Sequence, residues 1–168
     1  MDYTKNKMDI IISNTTPIIT LLAIDKLEIL KEIYGKIYVP KGVYEEIENG
    51  LEKEFYVDLK IYDWIEIIEV KNKLALQQLE NHLDKGEAHA LILYDELKAD
   101  LLVMDEKLGR KYAKKQNCNY IGSFGVLLRA KELGLISEIK PLLVQVKQKG
   151  VFISEQLFAT ILEIAGEN

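Results

Sequence analysis

The chain alternates short apolar runs with longer stretches of helical periodicity. Apolar runs bounded by turn residues predict strands, and apolar positions that recur every three or four residues predict amphipathic helices. The predicted strands are Ile10–Ile12, Ile37–Val39, Ile65–Val70, Leu101–Met104 and Tyr120–Ile121. The predicted helices are Pro17–Ala23, Leu27–Tyr34, Val43–Asn49, Leu74–Leu83, Glu87–Leu97, Glu106–Lys115, Phe124–Leu133, Ile136–Lys147 and Glu155–Ile164.

This order of elements predicts an α/β fold. Strands that alternate with helices are joined by crossovers, which produce a mostly parallel central sheet with helices on both faces. The fully apolar runs Ile10–Ile12 and Leu101–Met104 suit its buried middle. The 168 residues are enough for one domain, 1–168, with a sizeable core. The helical part, about 124–168, is either a C-terminal extension packed on the sheet or in part a partner-binding arm.

Local signals mark three helix boundaries. Thr16 before Pro17 predicts a capped start, and Pro40 precedes the start of another helix. Gly134 stands where a helix C-cap is expected.

Composition narrows the class of protein. Hydrophobic residues make up 48% and charged residues 29%, which is typical of a globular chain. The single cysteine, Cys118, cannot form an internal disulfide, so a reducing cytoplasm is expected. The N-terminal apolar run is too short for a signal peptide, and no run approaches the length of a membrane span. A net charge of −5 and a pI near 5.2 mean that nucleic-acid binding would need a local basic patch.

Candidate chemistry follows two of the predicted central strands. Ser13, Asn14, Thr15 and Thr16 come directly after the first, and Asp105 and Glu106 come directly after Leu101–Met104. Ligands of parallel sheets bind beyond the carboxyl ends of strands, so these residues are site candidates. Either segment taken alone is better explained as helix caps and turn formers.

Two glutamates on helices are further candidates. Glu46 borders the apolar stripe of its predicted helix, whereas Glu45 points away from it. Glu87 occupies the first turn of a helix that is apolar nearly all round, and is favoured over Asp95 near the far end of that helix. Solvent exposure for Glu46 and interaction with the helix dipole for Glu87 are the structural alternatives.

A basic run begins just after Asp105. Lys107, Arg110, Lys111, Lys114 and Lys115 crowd one predicted helix, where they form either a solvated face or a binding place for phosphates. Neither histidine belongs to a ligand pair, and the phosphate-loop and dinucleotide glycine motifs do not occur in the sequence. Nucleotide hydrolysis and hydride transfer are therefore not indicated.

Five segments in order, which span nearly the whole chain, resemble a prokaryotic branch of the PIN-domain family. They are Ile12-Ser-Asn-Thr-Thr-Pro-Ile-Ile, Tyr38-Val-Pro-Lys-Gly-Val-Tyr-Glu-Glu-Ile, Gly86-Glu-Ala-His-Ala-Leu, Leu102-Val-Met-Asp-Glu-Lys-Leu-Gly-Arg-Lys-Tyr-Ala and Gly122-Ser-Phe-Gly-Val-Leu-Leu-Arg-Ala-Lys. The resemblance implies a three-layer fold whose acidic residues bind Mg²⁺ or Mn²⁺ and cleave RNA. It implies Asn14, Glu46, Glu87 and Asp105 as the catalytic and metal-binding set, with Asn14 at a position usually held by Asp.

The resemblance also implies partners and auxiliary residues. Lys107, Arg110, Lys111 and Lys114 would hold the RNA, while Thr15, Thr16 and Ser123 would orient water or phosphate. The expected protein is a cytoplasmic endoribonuclease, the toxin of a toxin–antitoxin pair with an antitoxin partner, and a homodimer that binds no membrane. Because Asn14 brings no charge, the alternative is a catalytically weak or inactive PIN-fold module that binds nucleic acid or protein. A receiver-like signalling domain is disfavoured, since the chain has no clear paired acidic cluster after an early strand.

Overall fold

A computed structural model describes residues 9–50, 54 and 57–168. Residues 1–8, where a leader is not expected, lie outside the described part. The strands are β1 Ile11–Ser13, β2 Ile37–Pro40, β3 Ile65–Ile68, β4 Leu101–Val103 and β5 Tyr120–Ile121. The α-helices of the described residues are α1 Thr15–Ala23, α2 Ile29–Tyr34, α3 Lys41–Glu48, α4 Lys73–Glu80, α5 Lys85–Leu97, α6 Lys107–Lys115, α7 Ser123–Glu132, α8 Lys140–Gln148 and α9 Glu155–Ala165.

The five strands form one sheet in the order β3-β2-β1-β4-β5, and every neighbouring pair is parallel. Helices connect consecutive strands because parallel neighbours need crossover connections. The predicted α/β fold with a parallel central sheet is confirmed, and the apolar runs around Ile12 and Leu102 do occupy its middle.

Alternation along the central strands builds a hydrophobic cluster on each side of the sheet. Ile11 and Val103 belong to one cluster, whereas Ile12 and Leu102 belong to the other. Successive strand residues point to opposite faces, so a strand buried on both sides is apolar throughout. The cluster of Ile11 receives apolar side chains from α1, α2, α3, α7, α8 and α9, and the cluster of Ile12 from α4, α5 and α6. The result is three layers, with the C-terminal helices packed into the first cluster.

Helix α1 begins two residues earlier than predicted. Asn14, not Thr16, is the residue before the helix, with an extended backbone at φ −78° and ψ 176°. Pro17 is accommodated in the first turn because amide groups there have no partner within the helix. Pro40 precedes α3 as expected, and Gly134 follows α7 with φ +77°, a left-handed conformation that favours glycine.

Helix α8 begins later than the predicted Ile136. Glu167, near the C-terminus, accepts hydrogen bonds from the amides of Ile139 and Lys140 at 2.7 and 3.0 Å, and so binds the start of α8. Lys131 on α7 donates to the same carboxylate at 2.7 Å. A tertiary contact, which no local periodicity reveals, therefore joins α7, α8 and the chain end.

No helix in the described part of the chain is both long and apolar enough to cross a membrane.

Candidate functional site

The strand order reverses direction between β1 and β4, which lie side by side in the sheet. Ile11, Ile12 and Ser13 pair with Leu101, Leu102 and Val103, and the amide of Asn14 continues the ladder to the Val103 carbonyl at 2.9 Å. In parallel α/β sheets this reversal opens a crevice beyond the carboxyl ends of the two strands. The residues that follow β1 and β4 therefore meet at the natural binding place of the fold.

Asn14 lies at the centre of this crevice and is only 1% exposed. Its side-chain amide Nδ2 donates to Glu106 Oε2 at 3.0 Å, whereas its Oδ1 is buried without a hydrogen-bond partner among the described residues. Buried polar atoms almost always have partners, because leaving one unpaired costs about 1–3 kcal/mol. A cation or a hydrogen-bond donor that reached the unpaired Oδ1 would therefore stabilise it.

Glu106 lies in the segment that the sequence singled out after β4, but it was not among the predicted catalytic and metal-binding residues. Thr16 Oγ1 donates to its Oε1, and Asn14 donates to its Oε2, so both carboxylate oxygens are held by residues that follow β1. Asp105 and Glu106 are consecutive residues after β4, and consecutive side chains of an extended segment point to opposite sides. That alternation shows that only one of the two acids should face Asn14, but it does not say which.

Glu46 reaches the same crevice from α3. Its Oε2 accepts from Thr15 Oγ1 at 2.7 Å, and its Oε1 accepts from the amide of Gly86 at 2.7 Å. Its neighbour Glu45 turns outward and pairs with Lys85 at 2.6 Å. The helical spacing predicted this difference in direction.

Gly86 leaves the space in which these oxygens meet. A Cβ atom at Gly86 would lie 2.7 Å from each of Asn14 Oδ1, Glu46 Oε2 and Thr15 Oγ1. Such distances are too short for a methyl group, so the absence of a side chain keeps the oxygens around one small open point. We call Asn14, Thr15, Thr16, Glu46, Gly86 and Glu106 the Asn14 cluster.

Glu87 borders this cluster and also caps its own helix. Its Oε2 accepts from the Asp84 amide at 3.1 Å, while its own amide donates to Asp84 Oδ1 at 2.8 Å, which is a capping box at the start of α5. Glu87 is 4% exposed. Burial raises the pKa of its carboxyl, and the charges of Asp84 and Glu106 raise it further, although the Asp84 amide acts in the opposite direction.

Asp105 lies on the other side of the segment after β4. Its two oxygens accept from the Ser123 amide at 2.7 Å and from Ser123 Oγ at 2.5 Å, so it holds the first residue of α7. The structure thus brings Asn14, Glu46 and Glu106 together and places Asp105 with Ser123. Within residues 9–50, 54 and 57–168, no three acidic, histidine or cysteine side chains form a group able to hold a metal by themselves.

Arg110 is half-buried beside Asp105, while the lysines of α6 are exposed. Its Nε donates to the Met104 carbonyl at 2.8 Å, and its guanidinium lies over the Tyr120 ring at 5.4 Å from the centroid. Arg110 is therefore fixed against the ends of β4 and β5. Lys107, Lys111 and Lys114 line a hollow with it on the outer face of α6.

The fold and the site together define an α/β protein with an oxygen-rich crevice at the reversal of a parallel sheet. A family model described as a PIN domain matches residues 10–167, and the chain belongs to the PIN-domain family. No curated protein and no solved structure matches the chain significantly.

Proposed function

We propose that this PIN domain is an endoribonuclease that uses Mg²⁺ or Mn²⁺ to hydrolyse RNA phosphodiesters. The observation that supports the proposal best is the buried Oδ1 of Asn14, which has no partner among the described residues and lies beside the Glu46 carboxylate. PIN domains generally use divalent metal ions, and these cations take oxygen ligands. An acceptor oxygen that finds no donor among the described residues fits such an ion.

The donor set suits a hard cation in its chemistry. Asn14 Oδ1 and the carboxylates of Glu46 and Glu106 are all oxygen ligands, and Mg²⁺ is commonly held by only one or two carboxylates while it keeps several waters. Glu87 and Asp105 remain in the proposed set. Glu87 borders the cluster closely enough for the Glu106 charge to raise its pKa, and Asp105 is held by Ser123.

When bound, the cation would act as a Lewis acid on the phosphodiester and offset the charge that develops during hydrolysis. The protein's own part is orientation. Thr15 and Gly86 fix the Glu46 carboxylate, and Asn14 and Thr16 fix that of Glu106, so both acids are held before a ligand arrives. Preorganised groups of this kind avoid a reorganisation cost at the moment of reaction.

The wider role that we propose is that of the toxin of a toxin–antitoxin pair. It acts on RNA in the cytoplasm, as a homodimer that an antitoxin protein restrains. Family membership is the support for this role. Co-purification of the chain with the product of a neighbouring gene, followed by loss of RNA cleavage in the complex, is the test of the antitoxin.

Cleavage of a labelled RNA with and without Mn²⁺ or Mg²⁺ tests the enzymatic proposal. Glu46→Gln should reduce the metal-dependent rate strongly, whereas Glu45→Gln, on the adjacent outward-facing position, should leave it close to that of the parent. Asp105→Asn, at another member of the proposed set, should also reduce the rate. Equal cleavage by the parent and by Glu46→Gln would reject this site.

One observation favours a second function, that of a binding module without catalysis. The Asn14 amide stabilises the Glu106 carboxylate by a direct hydrogen bond, so this half of the cluster has a donor without a cation. If the parent fails to cleave RNA and Asn14→Asp creates metal-dependent cleavage, the binding module is the better description. Cleavage by the parent would exclude it.

A further inference from the structure

A shallow hollow of about 630 Å³ lies beside Asp105, on the outer face of α6 next to the edge strand β5. Its lining combines cations with apolar surface. Apart from Asp105, it is formed by Lys107, Leu108, Arg110, Lys111, Lys114 and Tyr120.

The aromatic part of this lining is held in place. Tyr120 is 38% exposed, and the Arg110 guanidinium lies over its ring at 5.4 Å from the centroid. Arg110 cannot swing freely, because its Nε donates to the Met104 carbonyl at 2.8 Å. The absence of a Cβ at Gly122 leaves room for the guanidinium, since that atom would collide with Arg110 Nη2. The pair is therefore preformed, with a fixed guanidinium over an exposed aromatic ring, and we call it the Arg110–Tyr120 platform.

The charges around the platform are unusual for this chain. Lys107, Lys111 and Lys114 follow each other at helical spacing on one face of α6. They are exposed and form no ion pair with any described residue. Together with Arg110 they make four cationic side chains in the lining, which contains one carboxylate, that of Asp105. The whole chain, in contrast, has a net charge of −5. Such a local excess attracts phosphates where the overall surface does not.

We propose that this hollow is a subsite for a single-stranded segment of nucleic acid, in which one unpaired base stacks on the Arg110–Tyr120 platform. The three lysines bind the flanking phosphates, and the strand then passes Asp105 toward the Asn14 cluster. Proteins that bind single strands combine such aromatic or guanidinium planes with a basic groove. A base within a duplex could not reach the platform, so the subsite selects an unpaired strand. The inference rests on the proposed function for the identity of the ligand as RNA, but it requires no metal.

Fluorescence anisotropy with a short labelled single-stranded RNA, in the presence of a chelator, tests the subsite without cleavage. Tyr120→Ala should weaken binding roughly 5- to 150-fold, the range expected for the loss of one base–aromatic stack, and Tyr120→Phe should bind within about twofold of the parent. An RNA with abasic positions should bind the parent more weakly, by a similar factor. The parent and Tyr120→Ala should bind this abasic RNA with the same affinity. The abasic comparison on the parent protein holds even if Tyr120→Ala folds poorly.

Lysine variants test the phosphate contacts. Lys111→Gln should lower the affinity and reduce the slope of log affinity against log salt by about one, while the exposed Lys31→Gln on α2 should change neither. Equal binding by Tyr120→Ala and the parent, or equal affinity of the parent for duplex and single-stranded RNA, would overturn the subsite. Binding that follows these expectations without any cleavage in Mn²⁺ or Mg²⁺ would leave the subsite standing and reject the nuclease. If Tyr120→Ala cleaved and bound RNA as well as the parent, the nuclease would stand and the subsite would be rejected.

Discussion

The side-chain Nδ2 of Asn14 donates to Oε2 of Glu106 across 3.0 Å, and so joins the residue after β1 to the third residue after β4. An ionised aspartate at position 14 could not make this bond with an ionised Glu106, because both partners would be acceptors. The amide therefore has a structural consequence besides its lack of charge. It stabilises the crevice in the absence of a cation.

Replacement of this amide by a carboxylate should make the protein depend on metal for stability. Asn14→Asp removes the hydrogen bond and places two carboxylates together, so we expect the free energy of unfolding in chelator to fall by about 1–3 kcal/mol. Mg²⁺ or Mn²⁺ should restore it, since a ligand that binds only the folded state stabilises that state. Chemical denaturation with and without the ions measures both effects.

Asn14→Ala is the control for this change. It also loses the hydrogen bond but adds no charge, so its unfolding should respond to the ions no more than that of the parent. An identical metal response in Asn14→Asp and Asn14→Ala would contradict the expected role of the carboxylate pair.

Glu106 should matter for cleavage although the family resemblance did not point to it. Glu106→Gln keeps the size of the side chain but removes the charge held by Asn14 and Thr16. If the cluster binds the cation, we expect the metal-dependent rate to fall about 10- to 100-fold, the usual effect of losing a ligand or its support. Metal titration of RNA cleavage measures it, with the exposed Glu32→Gln on α2 as control.

Glu87 should show a pH dependence of the opposite sign to that of an ordinary ion-paired acid. Burial raises the pKa of its carboxyl above the unfolded value near 4.5, so its charged form is disfavoured in the folded state. The penalty is present at pH 7 and disappears as the pH falls through the raised pKa. The free energy of unfolding of Glu87→Gln at pH 7 should therefore exceed that of the parent by roughly 1 kcal/mol or less. In this variant the part of the pH dependence that comes from Glu87 should be absent.

Denaturation of the parent and of Glu87→Gln between pH 7 and pH ~4.5 is the measurement. The exposed Glu138→Gln should leave the pH profile of the parent unchanged. A large loss of stability in Glu87→Gln at pH 7 would mean that the charge of the capping box outweighs the cost of its burial.

Glu167 should stabilise the C-terminal helices above the acid range. Burial raises the pKa of its carboxyl, but hydrogen bonds from Lys131 and from the amides of Ile139 and Lys140 outweigh this and lower the pKa to about 2. Since the folded pKa lies below the unfolded value of 4.5, the contribution is complete above pH 4.5 and is lost as the pH falls toward 2. Glu167→Gln should lower the free energy of unfolding at pH 7 by about 1–2 kcal/mol.

The exposed Glu163→Gln on α9 is the matched control and should be close to neutral. If Glu167→Gln kept the full stability of the parent at pH 7, the contact between the chain end and α8 would contribute nothing. Thermal unfolding at pH 7 and near pH 3 separates these outcomes.

The architecture was accessible from local patterns. Apolar runs such as Leu101–Met104 predicted the central strands, and the alternation with helices predicted the parallel sheet. Helical angles also predicted that Glu46 turns inward and Glu45 outward, because neighbours on a helix point about 100° apart. Such patterns depend only on the geometry of a single element.

The late start of α8 shows where local patterns fail. Ile136 continues the apolar spacing of the helix, yet the helix begins at Lys140, where Glu167 binds the first amides from the end of the chain. Hydrophobic periodicity contains no information about which distant carboxylate accepts hydrogen bonds from the amides at a helix start.

The sequence by itself determined the layers, the strands that are buried, and the arrival of Asn14 and the acids after β4 at one edge of the sheet. Tertiary structure alone decided that Glu106 faces Asn14, that Asp105 faces Ser123, and that Gly86 leaves the space between Asn14 and Glu46. The physical reason is the separation along the chain of the residues that interact. Hydrophobic periodicity acts within one element, whereas the hydrogen bond between Asn14 and Glu106 joins residues 92 positions apart and depends on how β1 and β4 pair.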